Sequence, residues 1–292
     1  MRVTESMIYN ATNSNLSSDL AALSAITEKV SSSKQLNRPS DNPADVRSAV
    51  GLRDTLAQLN QYVRNITTAS SKVSAQDTAL ASAGELIQRA NELAIEGANG
   101  TLDASQRQAI AAEVSQLTEA MAQDASAKVG DEYIFSGFRV DRAPYQVTGP
   151  GQVGTYQGDR GVAIARVGSA STMQVNMAGD AVFQPALDAL TQLQADLNGG
   201  QQVQQSTIGM IQAALTALTQ ARATIGARAN RLDDAKTSQQ ALITSNEALL
   251  SQLEDTDMPS AITELTKRQT TYQATLAVTA KVMQTNLLDY LR

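Results

Sequence analysis

One column of apolar residues, repeated at intervals of seven without a break, constrains this chain most. It comprises Leu52, Leu59, Ile66, Val73, Leu80, Ile87 and Ala94. A second column with the same interval lies near the other end, at Leu218, Ile225 and Leu232, with Leu253 further on. Such a repeat puts one apolar stripe on a helix, and a stripe that long is buried only against other long helices. The chain is therefore predicted to lie alongside copies or parts of itself.

Composition narrows the class of protein further. The 292 residues are 42% apolar, enough for a core, yet only 3% aromatic, which suits slender helical packing. The net charge of -6 argues against partners such as nucleic acid or a membrane surface. No apolar run is long enough to span a bilayer, and residues 1–30 lack the pattern of a secretory signal peptide. If the protein is exported, we expect another route.

Catalytic chemistry has little support in the residues. The chain contains no His and no Cys, so the commonest acid, base and thiolate groups are missing. The glycines of 149–154 match Gly-x-Gly-x-x-Gly, but a further turn rather than a helix follows them. The adjacent carboxylates Asp233 and Asp234 do not face each other on a helix, and Asp255 and Asp257 lack completing ligands. We predict no enzyme, no catalytic or metal site and no cofactor.

Prolines, glycines and capping residues divide the chain into blocks. Helices are predicted over about 4–33, from a cap at Asn42 to about 96, over 102–129, from 187 to 197 and over 203–253, with a final helix after a turn at 257–260. Each of the six prolines is expected at a helix boundary or a strand edge. Short apolar runs at 133–135, 162–167 and 173–177, set among glycines, predict strands.

The predicted fold is therefore mainly α with a small β-rich insert, with a long helical coiled-coil rod formed by the N- and C-terminal segments. Three regions follow. Residues 1–41 with 258–292 form a terminal coiled-coil assembly domain, residues 42–131 with 185–257 form a helical rod, and residues 132–184 form a β-rich outer domain.

The two ends carry apolar residues for pairing, which we call the assembly seam. Its members are Leu16, Leu20, Leu23, Val30, Ile262, Leu265, Tyr272, Leu276, Met283, Leu287 and Leu291. Isolated helices of this kind depend on packing for stability. We expect residues 1 to about 40 and about 258 to 292 to be mobile in the free subunit and to order on assembly. The alternative is that the seam is the core of a monomeric helical bundle.

Several motifs resemble those of a known family. The segment 36–44 resembles the loop after the first helix of flagellar hook-filament junction proteins, also called hook-associated protein 3. Segments 91–101, 225–233 and 286–292 look like motifs of the wider flagellin group, and 132–137 with the later Pro144, Tyr145, Tyr156, Gly158 and Asp159 looks like the junction protein. The loop-motif residues are Asn37, Arg38, Pro39, Ser40, Asp41 and Pro43.

The chain departs from the family pattern in the first loop. Ser33 and Asp45 stand where Gly is usual, and Asn42 stands where Asp is usual. Asn42 can still cap the following helix, so these differences concern loop detail.

The resemblance implies a flagellin-like subunit of the extracellular bacterial flagellum. It implies export in the unfolded state without a cleaved signal peptide, and assembly as a homo-oligomeric ring or helical layer between hook and filament. It also implies three partners, namely the first hook-associated protein, flagellin, and an export chaperone on the C-terminal helix. Neither nucleic-acid binding nor membrane insertion is expected.

Charged residues in two places are candidates for ion pairs between neighbouring subunits. They are Arg38, Asp41 and Asp45 in the first loop, and Arg228 and Arg231 late in the chain. Ordinary solvated charge is an equal alternative, because exposed pairs contribute only about 0–1 kcal/mol. Two other functions stay open: a filament flagellin, and a cytoplasmic coiled-coil scaffold or signalling hairpin.

Overall fold

The computed structural model describes residues 5–290, with side chains placed at position 7 and over 9–281. Its helices are α1 Glu5–Ser32, α2 Pro43–Gly97, α3 Ala104–Ala125, α4 Asp180–Asn198, α5 Gln205–Glu254 and α6 Met258–Tyr290. The prediction of a mainly helical chain with a small β-rich insert is confirmed.

Capping explains where two of the helices begin. At the start of α2 the Asn42 Oδ1 accepts the backbone N–H groups of Ala44 at 3.2 Å and Asp45 at 3.3 Å. Asp103 caps α3 by accepting from the Gln106 N–H at 2.7 Å, while the Gln106 side chain accepts from the Asp103 N–H. Each bond satisfies a backbone donor that the first turn of a helix leaves unpaired.

The β-rich insert consists of three antiparallel hairpins. Strand β1 Lys128–Val129 pairs with β2 Glu132–Tyr133, β3 Val147–Gly149 with β4 Gln152–Val153, and β5 Ile164–Arg166 with β6 Thr172–Gln174. The glycines of 149–154 therefore lie in the β3–β4 hairpin, with Gly151 at φ 66° in the turn.

Two predicted boundaries were wrong. The third helix ends at Ala125 rather than near 129, because the chain turns back through Gly130 at φ 62° to form the β1–β2 hairpin. Pro185 does not mark a boundary, since α4 begins at Asp180 and includes it. Because proline has no backbone N–H, the helix lacks one hydrogen bond at this position.

The chain divides into two compact units. One comprises residues up to Gln58 and from Leu242 onward; the other comprises Leu59–Ala241. The helices α2 and α5 contribute residues to both. These limits differ from the three regions of the sequence-based division, which stays a prediction about function.

The Leu59–Ala241 unit contains a large apolar core. Both heptad columns supply it, with Ile66, Ile87 and Ile225 each fully buried. Helices α3 and α4 pack against each other and add Val114, Leu190 and other buried side chains. Burial at every seventh position is the expected outcome of the repeat that predicted long helices.

In the other unit, α1 packs along α6. Among the side chains that the structure places there, the fully buried apolar ones are Ala49, Ile243 and Ala261. This unit thus buries few apolar side chains of its own, whereas the other has an extensive apolar core.

Candidate functional site

The α1–α6 pair holds the assembly seam, and the structure places its members on two kinds of surface. Leu16, Leu23, Val30, Leu265 and Tyr272 are half-buried, whereas Leu20, Ile262 and Leu276 are exposed on the outer sides of the helices. The side chains of Met283 and Leu287, and all of Leu291, lie outside the described residues. None of the placed seam residues is fully buried within the chain.

The inward face of α1 follows a strict four-three spacing. Its half-buried residues include Thr12, Leu16, Asp19, Leu23, Ile26 and Val30. Asp19 interrupts the apolar series, and its Oδ2 accepts a hydrogen bond from the Thr275 hydroxyl of α6 at 3.1 Å. A polar residue in a heptad position fixes register at a cost in stability. The two helices therefore have a defined register, although little apolar surface is fully buried between them.

Two connecting segments meet at the base of this pair. Lys34 and Asp255 form an isolated antiparallel bridge, the Gln35 N–H donates to the Glu254 carbonyl at 2.6 Å, and the Thr256 N–H donates to the Ser33 carbonyl at 3.1 Å. We call residues 33–35 and 254–256 the paired linkers. They tie the end of α1 to the start of α6.

A buried carboxylate stands at the same place. The Glu254 side chain is 2% exposed, its Oε2 lies 2.6 Å from Lys34 Nζ, and its Oε1 lies 2.7 Å from Arg53 Nη2. Burial raises the pKa of Glu254, but the hydrogen bonds and charges of Lys34 and Arg53 outweigh it and hold the pKa below its ordinary value. The ion cluster joins the linker after α1 to α2 and α5 within one unit.

The loop motif forms an ordered turn. Asp41 Oδ2 accepts the N–H groups of Arg38 at 2.8 Å and Asn37 at 3.0 Å, and these bonds lower the pKa of Asp41. The Asn37 side chain donates to the Lys34 carbonyl at 2.9 Å. Asn37, Arg38 and Pro39 line a cavity of about 240 Å³, while Ser40 and Pro43 are exposed. The motif thus shapes the route from α1 to α2.

Three of the charged loop residues have partners in their own chain. Arg38 pairs with Glu28 at 2.8 Å, Asp41 holds the turn, and Asp45 accepts from the Asn42 side chain at 2.5 Å. Ion pairing of these residues with a neighbouring subunit stays a prediction.

Ser33 is the one described non-glycine residue with a positive φ, at 56°. This left-handed conformation follows α1 directly and favours glycine. At this position the chain has Ser33, whereas the family that the loop resembles usually has Gly. The departure therefore concerns a residue whose backbone geometry favours the family's choice.

The residues that resemble the junction protein form one network in the β-rich insert. Phe135 is fully buried, with its ring edge-on to Phe183 at 4.9 Å. The Tyr156 hydroxyl lies 2.8 Å from the Phe135 carbonyl and 3.0 Å from the Asp159 carbonyl. Asp159 Oδ1 in turn accepts from the Phe138 N–H at 2.8 Å and the Gly161 N–H at 2.7 Å. This motif holds the insert together.

Gly137 shows why the network needs glycine. Its φ is 73°, and a Cβ atom there would overlap both the side chain and the backbone of Asp159. Tyr145 packs beside Tyr156, with ring centroids 5.5 Å apart, and burial raises the pKa of its hydroxyl.

Arg228 has a hydrogen-bond partner within its own chain, and its pairing with a neighbouring subunit stays a prediction. Its Nη1 donates to the Asn176 carbonyl at 2.9 Å, and burial lowers its pKa. It therefore fastens the segment after β6 to α5 within one unit. Arg231 is exposed.

The α1–α6 pair offers an apolar surface that is only partly covered. Among the described residues, no three His, Cys, Asp or Glu side chains are placed to hold a metal ion. No helix in the described part of the chain has the length and apolarity needed to cross a membrane. What the geometry provides is a helix pair with partly covered apolar residues, which defines an assembly-type helical protein.

Two family models match most of the chain. The model of the bacterial flagellin N-terminal helical region matches residues 3–139, and that of the C-terminal helical region matches residues 208–291. The chain belongs to the flagellin superfamily.

Within the superfamily, the chain is similar to flagellar hook-associated protein 3. It is 31% identical to the Salmonella typhimurium protein over 63% of this chain and 57% of that one. With the Escherichia coli protein it is 27% identical over 75% of this chain and 67% of that one. The chain thus aligns with little more than half the length of the first of these relatives.

The chain is also similar to a solved structure and to a flagellin. The solved structure of hook-associated protein 3 from Legionella pneumophila matches with a TM-score of 0.63 and 15% identity, over 69% of this chain and 98% of that one. This likeness shows the fold. The flagellin of Bacillus subtilis is 25% identical over the full length of both chains.

Proposed function

We propose that the chain is a structural subunit of the bacterial flagellum that joins hook to filament. The observation that carries the proposal is the α1–α6 pair, whose apolar seam stays half-covered in a chain similar to hook-associated protein 3. An apolar surface left open in this way favours association with other subunits. The mechanism is assembly, with no reaction.

Burial of the seam drives the assembly. Leu20, Ile262 and Leu276 are 41–52% exposed, and covering such side chains contributes roughly 25 cal/mol for each Å² of apolar surface. Copies of the same chain supply the first neighbours, in a ring or helical layer. Residues 1–41 and 258–292 serve this purpose, 42–131 and 185–257 form the supporting rod, and 132–184 face outward.

The remaining partners follow from the family relationship. One side of the layer contacts the first hook-associated protein and the other contacts flagellin. The subunit is exported unfolded, without a cleaved signal peptide, and a chaperone holds its C-terminal helix before export. Its final place is extracellular.

Deleting the gene tests the proposal directly. Cells without the protein should carry hooks that lack filaments and should release flagellin into the medium. Normal filaments on the deletion strain would refute the junction role. A plasmid copy of the gene provides the control.

A filament flagellin is the second candidate, because the Bacillus subtilis flagellin aligns along the whole chain. A flagellin polymerises into long filaments, whereas a junction subunit stops after a short layer. Electron microscopy of purified protein under polymerising conditions separates the two.

A further inference from the structure

The β5–β6 hairpin has an unpaired strand edge that opens into a groove. Strand β5 pairs with β6 on one side, with Ala165 opposite Met173. The Val175 N–H donates to the Ala163 carbonyl at 3.0 Å, and the Val167 N–H donates to the Ser171 carbonyl at 3.0 Å. Bonded pairs alternate along an antiparallel ladder, so Ala163, Ala165 and Val167 point their backbone groups toward β6.

The backbone groups of Ile164 and Arg166 consequently point away from β6. The Arg166 carbonyl accepts from the Asn65 side chain of α2 at 3.0 Å. The Ile164 N–H, the Ile164 carbonyl and the Arg166 N–H have no hydrogen-bond partner among the backbone and side-chain groups that the structure describes. Three free backbone groups in sequence form a template for another strand.

A groove lies along this edge. It has a volume of about 370 Å³ and runs between β5 and two turns of α2. Buried Ala69 and Val175 line it, and Ile164, 63% exposed, stands at its side. A cleft between a helix and a free strand edge provides backbone hydrogen bonds and apolar contact together, as in β-strand addition.

Charge decides which strand would fit. Two cationic residues line the groove, Lys72 and Arg166. Lys72 already pairs with Glu132 at 2.5 Å. Arg166 donates to the Ser169 carbonyl at 2.7 Å and has no carboxylate partner among the described residues. An arginine without a carboxylate favours an acidic ligand.

We propose that this groove binds an extended peptide segment of another protein, with one carboxylate between β-branched residues, as an added strand on β5. The backbone of the segment pairs with the Ile164 N–H and carbonyl and with the Arg166 N–H, while the Arg166 carbonyl keeps its bond to Asn65. The carboxylate of the segment meets the Arg166 guanidinium, and its apolar side chains contact Ala69 and Val175. The site lies wholly within the Leu59–Ala241 unit. It is independent of the seam and of the junction role.

The test uses the full-length protein and a synthetic probe, acetyl-Thr-Val-Asp-Val-Thr-amide. Amide resonances of Ile164 and Arg166 should shift during titration, and their hydrogen exchange should slow. Replacing Asp by Lys in the probe should weaken binding at least tenfold. Equal binding of the two probes, or no shift at millimolar peptide, would overturn the proposal.

Two variants separate backbone pairing from side-chain contact. Ile164→Pro removes an N–H that the β5–β6 ladder does not use, so binding should fall at least tenfold, whereas Ile164→Ala keeps the N–H and should fall less. If the proline variant does not fold, a probe N-methylated at its central residue tests the same bonds on unchanged protein. Unaltered binding of the methylated probe would count against strand addition.

Discussion

The Leu59–Ala241 unit and the α1–α6 pair use the same apolar spacing with different results. In the former, the seven-residue column is fully buried, as at Ile66 and Ile87. In the latter, the equivalent positions are half-buried and Leu276 is 41% exposed. The spacing therefore indicates which face of a helix is apolar. In one unit the same chain covers that face, whereas for the pair we propose that other chains complete the cover.

The largest expected effect concerns the buried core of the Leu59–Ala241 unit. Phe135→Ala should lower the free energy of unfolding by about 3–5 kcal/mol, because it opens a cavity against Phe183 in a fully buried site. The measurement is urea unfolding followed by circular dichroism. Phe138→Ala is the matched control, and its 64% exposed ring should cost less than about 1 kcal/mol. Equal losses would contradict the assigned packing.

The next effect concerns the ion cluster below the helix pair. Glu254→Gln should destabilise that unit by about 1–2 kcal/mol, since Lys34 and Arg53 lose their charged partner while remaining partly solvated. Faster hydrogen exchange in α1 and α6 reports it. The control is Asp255→Asn, because that carboxylate is half exposed and 3.8 Å from Lys34. An unchanged exchange rate in the Glu254 variant would show that the cluster does not secure the pair.

Acidification should act through the same carboxylate. The pKa of Glu254 in the folded protein lies below the ordinary value of 4.5. Its contribution to stability is therefore complete above that value and is lost as pH falls through the lower, folded pKa. Hydrogen exchange in α1 and α6 should accelerate in that acidic range. The Glu254→Gln variant should lack this step, and a step of equal size in the variant would assign it to another group.

A smaller effect is expected from the exposed seam. Leu276→Ala should change the stability of the monomer by less than about 1 kcal/mol, since the side chain is partly solvated already. The same change should raise the concentration required for self-association about fivefold, equivalent to about 1 kcal/mol of lost burial. Sedimentation over a concentration series measures it, with exposed Gln273→Ala as control. Identical association by both variants would remove Leu276 from the seam.

The smallest expected change in stability concerns Ser33 in the paired linkers. Ser33→Gly should stabilise the α1–α6 unit by about 0.5–1 kcal/mol, because glycine relieves a left-handed backbone while adding freedom to the unfolded chain. Slower hydrogen exchange near the end of α1 is the readout. Ser31→Gly provides the opposite control, since it places glycine inside the last turn of the helix and should destabilise. A loss of stability with Ser33→Gly would mean that the serine hydroxyl matters more than the strain.

Much of the fold could be predicted because its signals are local. The Asn42 cap, the heptad columns and the glycine turns act within a few residues, so the bounds of the long helices came within a few positions. The end of α3 was missed because Ala125 and Val129, four positions apart, continue the apolar helical pattern. The hairpin with β2 decides the structure of Lys128–Val129 instead.

The contacts of the candidate site could not be predicted in the same way. Asp19 lies on the inner face of α1 and Leu20 on the outer face, yet apolarity alone favours the leucine. The Lys34–Glu254 pair joins residues 220 positions apart, and no periodicity marks it. Arg228 meets a backbone carbonyl, which is an acceptor that every residue carries.

For the assembly proposed above, the paired linkers have a consequence for how a subunit joins the layer. Residues 33–35 and 254–256 are hydrogen-bonded to each other, so the end of α1 and the start of α6 are held together. Neither helix can peel off alone without breaking those bonds. Docking and release of a subunit should therefore be single concerted events in which both chain termini engage together.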